Sequence, residues 1–204
     1  MSSARLVLLA SGSGSNLAAV MAACDDGRLD AEVVAVISDR ADAYALERAR
    51  QAGIDHHHLA VAGRERSAYD AELASIVDLH RPDWVVLAGW MRILTMSFLG
   101  AFPERVVNLH PALPGQFAGV NAVERAWEAG RTGEIDRTGV MVHLVPDEGV
   151  DDGPVLGTVE VALLPGESLD DLTARVHAAE HTLLVDVLDS LVTFRHPLSP
   201  SRST

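Results

Sequence analysis

The 204-residue chain is long enough for a full hydrophobic core and fits one domain. With 48% hydrophobic residues it is globular rather than disordered, and its formal net charge of −13 argues against a broad nucleic-acid footprint or an anionic membrane surface. That charge still leaves room for an anionic small-molecule substrate held by a few local donors.

The opening run ARLVLLAS is short and leads into a glycine loop, so it reads as a first strand rather than a signal peptide. No apolar run approaches the roughly 20 residues of a membrane span. The expectation is a soluble cytoplasmic protein. Cys24 is the only cysteine, which excludes an internal disulfide and a thiolate zinc site; it reads as helix packing.

Strand-like and helix-like segments then alternate. Leu6 to Ala10 is a continuous apolar run, as in a strand buried on both faces. Gly12 to Ser15 form a tight loop, and Asn16 to Asp25 a helix capped by Ser15 or Asn16. Val33 to Ile37 is a second strand, Tyr44 to Ala52 a second helix, and Ile54 to Leu59 a weaker third strand. Ser67 to Leu79 is a helix whose apolar face holds Tyr69, Leu73, Ile76, Val77 and Leu79. Trp84 to Ala88 is a fourth strand, Met91 to Ala101 a loop or short helix, and Val106 to His110 a fifth strand.

Beyond that point the rhythm changes. Val123 to Ala129 is a helix ended by Gly130. Gly139 to Val145 and Val155 to Ala162 are strands with no helix between them, an arrangement that favours antiparallel pairing. Ser168 to Thr193 is a long amphipathic helix with Leu172, Val176, Ala179, Leu183, Val187 and Leu191 at helical spacing. The expectation is one domain over 1–194, followed by a flexible tail over 195–204.

Three stretches carry chemistry. ASGSGSNL joins the first strand to the first helix, where glycines and unpaired helix amides suit a phosphate. A monophosphate, a dinucleotide and a purely structural turn all remain open from these residues. In VVNLHPALPG, Asn108 and His110 are alternate strand residues, so both side chains share one face. His110 suits acid, base or ligand chemistry, and Asn108 suits donation to an oxyanion; a packed core histidine is the plain alternative. The acidic loop PDEGVDDGP brings Asp147, Glu148, Asp151 and Asp152, any of which can orient His110 and favour its charged form. Acidic turns are also common solvated features. The side chains of His56, His57 and His58 alternate faces, which disfavours a shared metal; His143 reads as structural, and Glu180 and Arg66 as surface residues unless a cleft recruits them.

The blocks LLASGSGSNL, AGWMRIL, VVNLHPALPG and VDDGPV resemble, in order and spacing, the phosphoribosylglycinamide formyltransferases of purine synthesis; AYD and AEH fit too. The resemblance covers nearly the whole chain. It implies an α/β, Rossmann-like formyltransferase fold: a mostly parallel central sheet flanked by helices, with antiparallel strands toward the C-terminal part. It also implies 10-formyltetrahydrofolate as formyl donor and no metal, and it allows a homodimer.

Carried over residue by residue, Asn108, His110 and Asp151 match the catalytic triad. Gly14, Ser15 and Asn16 match the substrate-phosphate loop, with Arg66 near the phosphate, Pro111 beside the acceptor and Glu180 at its amine. Met91, Arg92, Ile93 and Leu94, with Asp147, Glu148, Gly149 and Val150, match the walls of the folate pocket. The implied chemistry is direct transfer, with Asn108 and protonated His110 stabilising the oxyanion while Asp151 holds His110 charged and positions a proton-carrying water.

The sequence departs from the family at Leu113-Pro114-Gly115, at Asn121 where a histidine is common, and at Asp152 where a glycine is usual. Spacing to Gly153-Pro154 favours Asp151 over Asp152. The altered turn keeps an amino sugar nucleotide acceptor as the alternative substrate, and a non-catalytic nucleotide-binding module as the alternative class. A transfer-RNA formyltransferase would be expected to carry an extra C-terminal domain and basic surface, and a formyltetrahydrofolate hydrolase an N-terminal regulatory domain.

Overall fold

Leu6 to Leu9 are fully buried, and consecutive side chains of this run enter opposite cores, Leu6 and Leu8 one, Val7 and Leu9 the other. That is the period-two geometry of a strand covered on both faces. The computed structural model describes residues 3–193; Phe194 and the tail expected from 195 lie outside the described residues.

The elements are β1 (Ala4–Leu9), α1 (Ser15–Asp25), β2 (Ala31–Ser38), α2 (Tyr44–Gln51), β3 (Asp55–His58), α3 (Arg66–Leu79), β4 (Trp84–Leu87), α4 (Met96–Leu99), β5 (Val106–His110), α5 (Ala122–Arg131), β6 (Arg137–Leu144), β7 (Val155–Ala162) and α6 (Leu169–Thr193). The sheet order is β3-β2-β1-β4-β5-β6-β7. The first five strands in this order pair in parallel, and β6 and β7 are antiparallel additions. The expected mixed α/β sheet is the one found.

One core lies under α1 and α6 and includes Leu17, Val20, Val107, Leu109, Val140, Leu172, Val176 and Leu184. The other lies under α3 and α4 and includes Tyr69, Leu73, Val77, Phe98, Phe102 and Val106. Chain order reverses at β1, which sits between β2 and β4. A crevice opens at such a switch point, outside the carboxyl ends of the strands. The loops after β1, β4 and β5 all empty there.

Four local expectations are corrected. Helix α1 is capped by Gly14 in the left-handed region (φ 68°), not by a Ser15 or Asn16 side chain. Gly130 lies inside α5 rather than ending it, because a Cβ there would come within 2.6 Å of Leu163 Cδ1; the bare backbone admits that neighbour. Leu79 is 77% exposed, on the outer side of the last turn of α3, where Val77 is the residue that faces the core. On α6 the buried stripe runs through Leu172, Val176, Glu180, Leu184, Val187 and Leu188, so Leu183 and Leu191 are only partly covered and Glu180 is interior.

Candidate active site

Strand β5 ends in the crevice. Val106, Asn108 and His110 alternate on one face, and antiparallel β6 sets His143 opposite Asn108. The loop after β6 returns over this pair and brings in Asp151. Its carboxylate is a point of convergence. Asn108 Nδ2 donates to Oδ1 at 3.0 Å, the Gly119 amide donates to Oδ2 at 2.8 Å, and His110 Nδ1 lies 3.2 Å from Oδ2. Asp151 holds a left-handed backbone, φ 55°, a conformation that Asp tolerates better than most residues. Asp152 instead lies over Gly149, where a Cβ would stand 2.2 Å from its Oδ1.

His110 is 4% exposed, and its Nε2 is buried with no partner among the described residues. Nδ1 faces the carboxylate, so the neutral ring carries its proton on Nδ1 and leaves Nε2 bare, an assignment made from the hydrogen-bond network. Burial pushes the imidazole below its ordinary range, and this outweighs the upward pull of Asp151. The expectation that Asp151 keeps His110 charged is therefore corrected for the free site: His110 is neutral there near pH 7. Burial raises the Asp151 carboxyl, but His143, the Gly119 amide and His110 together hold it below the ordinary carboxylate range.

Asn108 is also differently engaged than expected. Its second amide hydrogen faces His143 Nε2 at 3.1 Å, while His143 Nδ1 faces the Leu144 carbonyl at 2.8 Å. Both hydrogens therefore have acceptors within the protein. His143, read from sequence as structural, stands in this cluster, 2% exposed and with Nε2 3.6 Å from Asp151 Oδ1. The available signal was a lone histidine in an otherwise apolar strand, shortly before the acidic loop.

Across the crevice, Asn16 Nδ2 donates to Glu180 Oε2 at 3.3 Å, joining the first turn of α1 to the middle of α6. Glu180 is 6% exposed, and burial pushes its carboxyl up. A buried carboxyl with one oxygen already bonded to Asn16 suits an amine as a further partner. The glycine loop is tied to the loop after β4: Ser11 N–H donates to the Gly89 carbonyl, and Met91 N–H to Ser11 Oγ, both at 3.0 Å. Gly14 is held closely, since a Cβ there would be 2.9 Å from Ala45. Gly14→Ala adds left-handed strain to that clash and is expected to lower stability by about 1–3 kcal/mol. A denaturant titration measures this, and a wild-type midpoint would contradict it.

The acidic segment expected at the folate pocket is tied to the start of α4, just beyond the other expected segment. Met96 N–H donates to Glu148 Oε1 at 3.1 Å, and Asp147 Oδ1 accepts from Gly149 N–H at 2.9 Å. Met91, Ile93 and Val150 are exposed apolar side chains, and Arg92 stacks 5.2 Å from the Tyr69 ring centroid. Leu94 is 2% exposed and packs in the core under α3 and α4. Arg66 donates to the Ile93 carbonyl, tying α3 to the folate-side wall; it makes no hydrogen bond to Gly14, Ser15 or Asn16. Pro111 is half-buried directly after His110. The AYD motif is structural: Tyr69 donates to the Leu59 carbonyl, and buried Asp70 accepts from Thr95 N–H at 2.6 Å.

Two hollows of about 650 Å³ lie elsewhere, one beside Leu113 and Arg137, the other beside Arg5 and Cys24. The first is lined by Glu134, Asp136, Arg137 and Glu160; in the second His80 stands 3.9 Å from Asp55, whose carboxylate is exposed, unlike the buried pair at Asp151. Among the described residues no group of three or more His, Cys, Asp or Glu side chains is placed to hold a metal ion.

The formyl transferase family model matches residues 4–188. The chain belongs to that family. It is similar to members of one branch. It is 45% identical over 179 residues to the phosphoribosylglycinamide formyltransferase of Escherichia coli, covering 87% of this chain and 82% of that one. It is 44% identical over 203 residues to the enzyme of that name from Schizosaccharomyces pombe, covering 93% and 98%. The crystal structure of glycinamide ribonucleotide transformylase 1 from Symbiobacterium toebii superposes with a TM-score of 0.89 at 41% identity, covering 95% of this chain and 89% of that one. In this family member Asp151 of the acidic loop meets Asn108 and His110 of β5 directly, and the glycine loop follows parallel β1 at the same end of the sheet as the end of β5.

Proposed function

We propose that this chain transfers the formyl group of 10-formyltetrahydrofolate, the donor its family uses, to the amine of 5-phosphoribosylglycinamide. The products are N-formylglycinamide ribonucleotide and tetrahydrofolate, in purine biosynthesis. The observation that carries the reading is the buried His110–Asp151 pair, with Nε2 of His110 unpartnered among the described residues.

The neutral amine attacks the formyl carbon, and a new C–N bond forms as negative charge develops on the formyl oxygen. Bare Nε2 of His110 accepts the proton that the attacking nitrogen releases, and the imidazolium so formed is stabilised by Asp151. That imidazolium balances the oxygen's charge and returns the proton to the folate nitrogen as the old C–N bond breaks. Asn108 orients Asp151 and His143; it donates to the formyl oxygen only where an amide hydrogen leaves one of those acceptors. Glu180 holds the acceptor amine, and the first amides of α1 hold the phosphate. Binding both substrates in one crevice supplies proximity.

An amino sugar nucleotide is the second acceptor, because the residues of the turn from Pro111 to Asn121 depart from the family pattern. Arg125 bonds the Phe117 and Ala118 carbonyls, and Asn121 starts α5 from a left-handed conformation without a side-chain cap. Within this reading the enzyme acts in the cytoplasm on small molecules, with a homodimer as the assembly that family analogy allows. The test gives purified protein 10-formyltetrahydrofolate with either acceptor and follows loss of the donor optically. Turnover with glycinamide ribonucleotide is expected. Turnover with the amino sugar nucleotide alone would overturn the acceptor, and turnover with neither would overturn the transferase.

A further inference from the structure

Free amides at the start of α1 attract an anion only if they point into the crevice. Helix α2 determines that direction. Ala45 N–H donates to the Gly12 carbonyl at 3.2 Å, and Arg48 Nε donates to the Ser13 carbonyl at 2.9 Å. A peptide unit is planar and trans, so its N–H points opposite to its carbonyl. Holding the Gly12 and Ser13 carbonyls against α2 therefore turns the following amides, those of Ser13 and Gly14, away from it. Successive amides turned the same way make an anion-binding concavity. Among the described residues, the amides from Gly12 to Leu17 have no hydrogen-bond acceptor.

Arg48 is fixed from two further sides. Its guanidinium carbon lies 4.8 Å from the Tyr44 ring centroid, and its stem packs against Gly14, where a Cβ would be 3.4 Å from Cδ. The adjacent acid, Glu47, pairs with Arg50 instead. Arg48 thus combines a charge with no ion-pair partner among the described residues and a directed bond to the loop, in a chain of net charge −13.

We infer that Arg48 is a positioning residue for the acceptor's phosphate: it aims the loop amides and adds the positive charge that the loop itself lacks. The inference rests on the reading that this loop holds the phosphate. The test compares kcat/KM for glycinamide ribonucleotide with that for the dephosphorylated riboside, and the ratio of the two is the phosphate preference. Arg48→Met is expected to reduce that preference about ten-fold, and Arg48→Lys, which keeps the charge but not the planar fork, to reduce it less. The change should lie mainly in KM. A wild-type enzyme with no phosphate preference would overturn the loop's role and this inference with it. A strong wild-type preference that Arg48→Met leaves intact, or an equal fall on both acceptors, would overturn the role of Arg48 alone.

Discussion

Replacing His110 by alanine is expected to lower the rate of formyl transfer by at least about 10³-fold, while KM for each substrate changes by only a few-fold. The expectation follows from where the ring nitrogens lie. Nδ1 is held by Asp151 and Nε2 has no hydrogen-bond partner among the described residues, so the imidazole is oriented at one end and free to react at the other. No neighbouring side chain replaces that free nitrogen, because His143 has both ring nitrogens engaged, one by Asn108 and one by the Leu144 carbonyl.

The fold should survive the change. Val107 and Leu109 still anchor β5, and the Asp151 carboxylate keeps the amides of Asn108 and Gly119. Circular dichroism reports on that directly, and near wild-type turnover in a folded variant would refute the role given to His110.

The same imidazole sets a pH dependence. Its pKa lies below the ordinary histidine value, and the reaction needs it neutral before attack. Activity at limiting substrate is therefore expected to fall only below about pH 6.5, with a midpoint acid of the free imidazole. Folding follows the same sign. A histidine with a lowered folded pKa binds its proton less readily in the native state, so its contribution turns unfavourable as pH drops from about 6.5 through the folded value. Asp151 adds to this at lower pH, since a depressed carboxylate stabilises the fold above its ordinary range and ceases to do so as pH falls through its folded pKa. A profile that keeps rising toward acid would contradict a neutral His110.

Local pattern in the chain carries much of this architecture. Apolar runs such as Leu6 to Ala10 and Trp84 to Ala88 are long enough to specify strands covered on both faces, and their alternation with helices specifies a parallel sheet. What local pattern does not contain is register. Nothing within the run GVMVHLV says that His143 will stand opposite Asn108, because pairing is decided by how β6 docks on β5. Glu180 is similar: a carboxylate within a helix is solvated by default, and only the docking of α6 on α1 buries it against Asn16. The charge state of His110 also lay beyond sequence. Proximity of an acid was legible, but the degree of burial that outweighs it is a property of the packed site.

Asp151→Asn and Asp152→Asn are expected to separate sharply, although the two residues are adjacent and both acidic. Three donors converge on the Asp151 carboxylate: the Asn108 amide, the Gly119 N–H and the His110 ring. An amide at this position offers one oxygen, so its NH₂ must face at least one of those donors. With its oxygen in place of Oδ2 the amide serves Gly119 and His110 but turns its NH₂ toward Asn108; with its oxygen in place of Oδ1 it serves Asn108 alone and leaves the Gly119 amide and His110 Nδ1 without an acceptor. In the second case the ring has no reason to carry its proton on Nδ1, and the tautomer with Nε2 protonated cannot take a proton from the amine. The imidazolium that forms in the reaction also loses its counter-charge. A loss of about 10²–10⁴-fold in kcat is expected, with a small change in KM. Asn is the right replacement because it tolerates the left-handed backbone at 151, whereas Ala would add strain unrelated to charge. Asp152 has its carboxylate over Gly149 and forms no hydrogen bond with His110 or Asn108 among the described residues. Asp152→Asn is accordingly expected to stay within about three-fold of wild type, the usual range for a change outside the reacting groups. Equal losses in the two variants, or a larger loss at 152, would move the carboxylate partner of His110 from Asp151 to its neighbour.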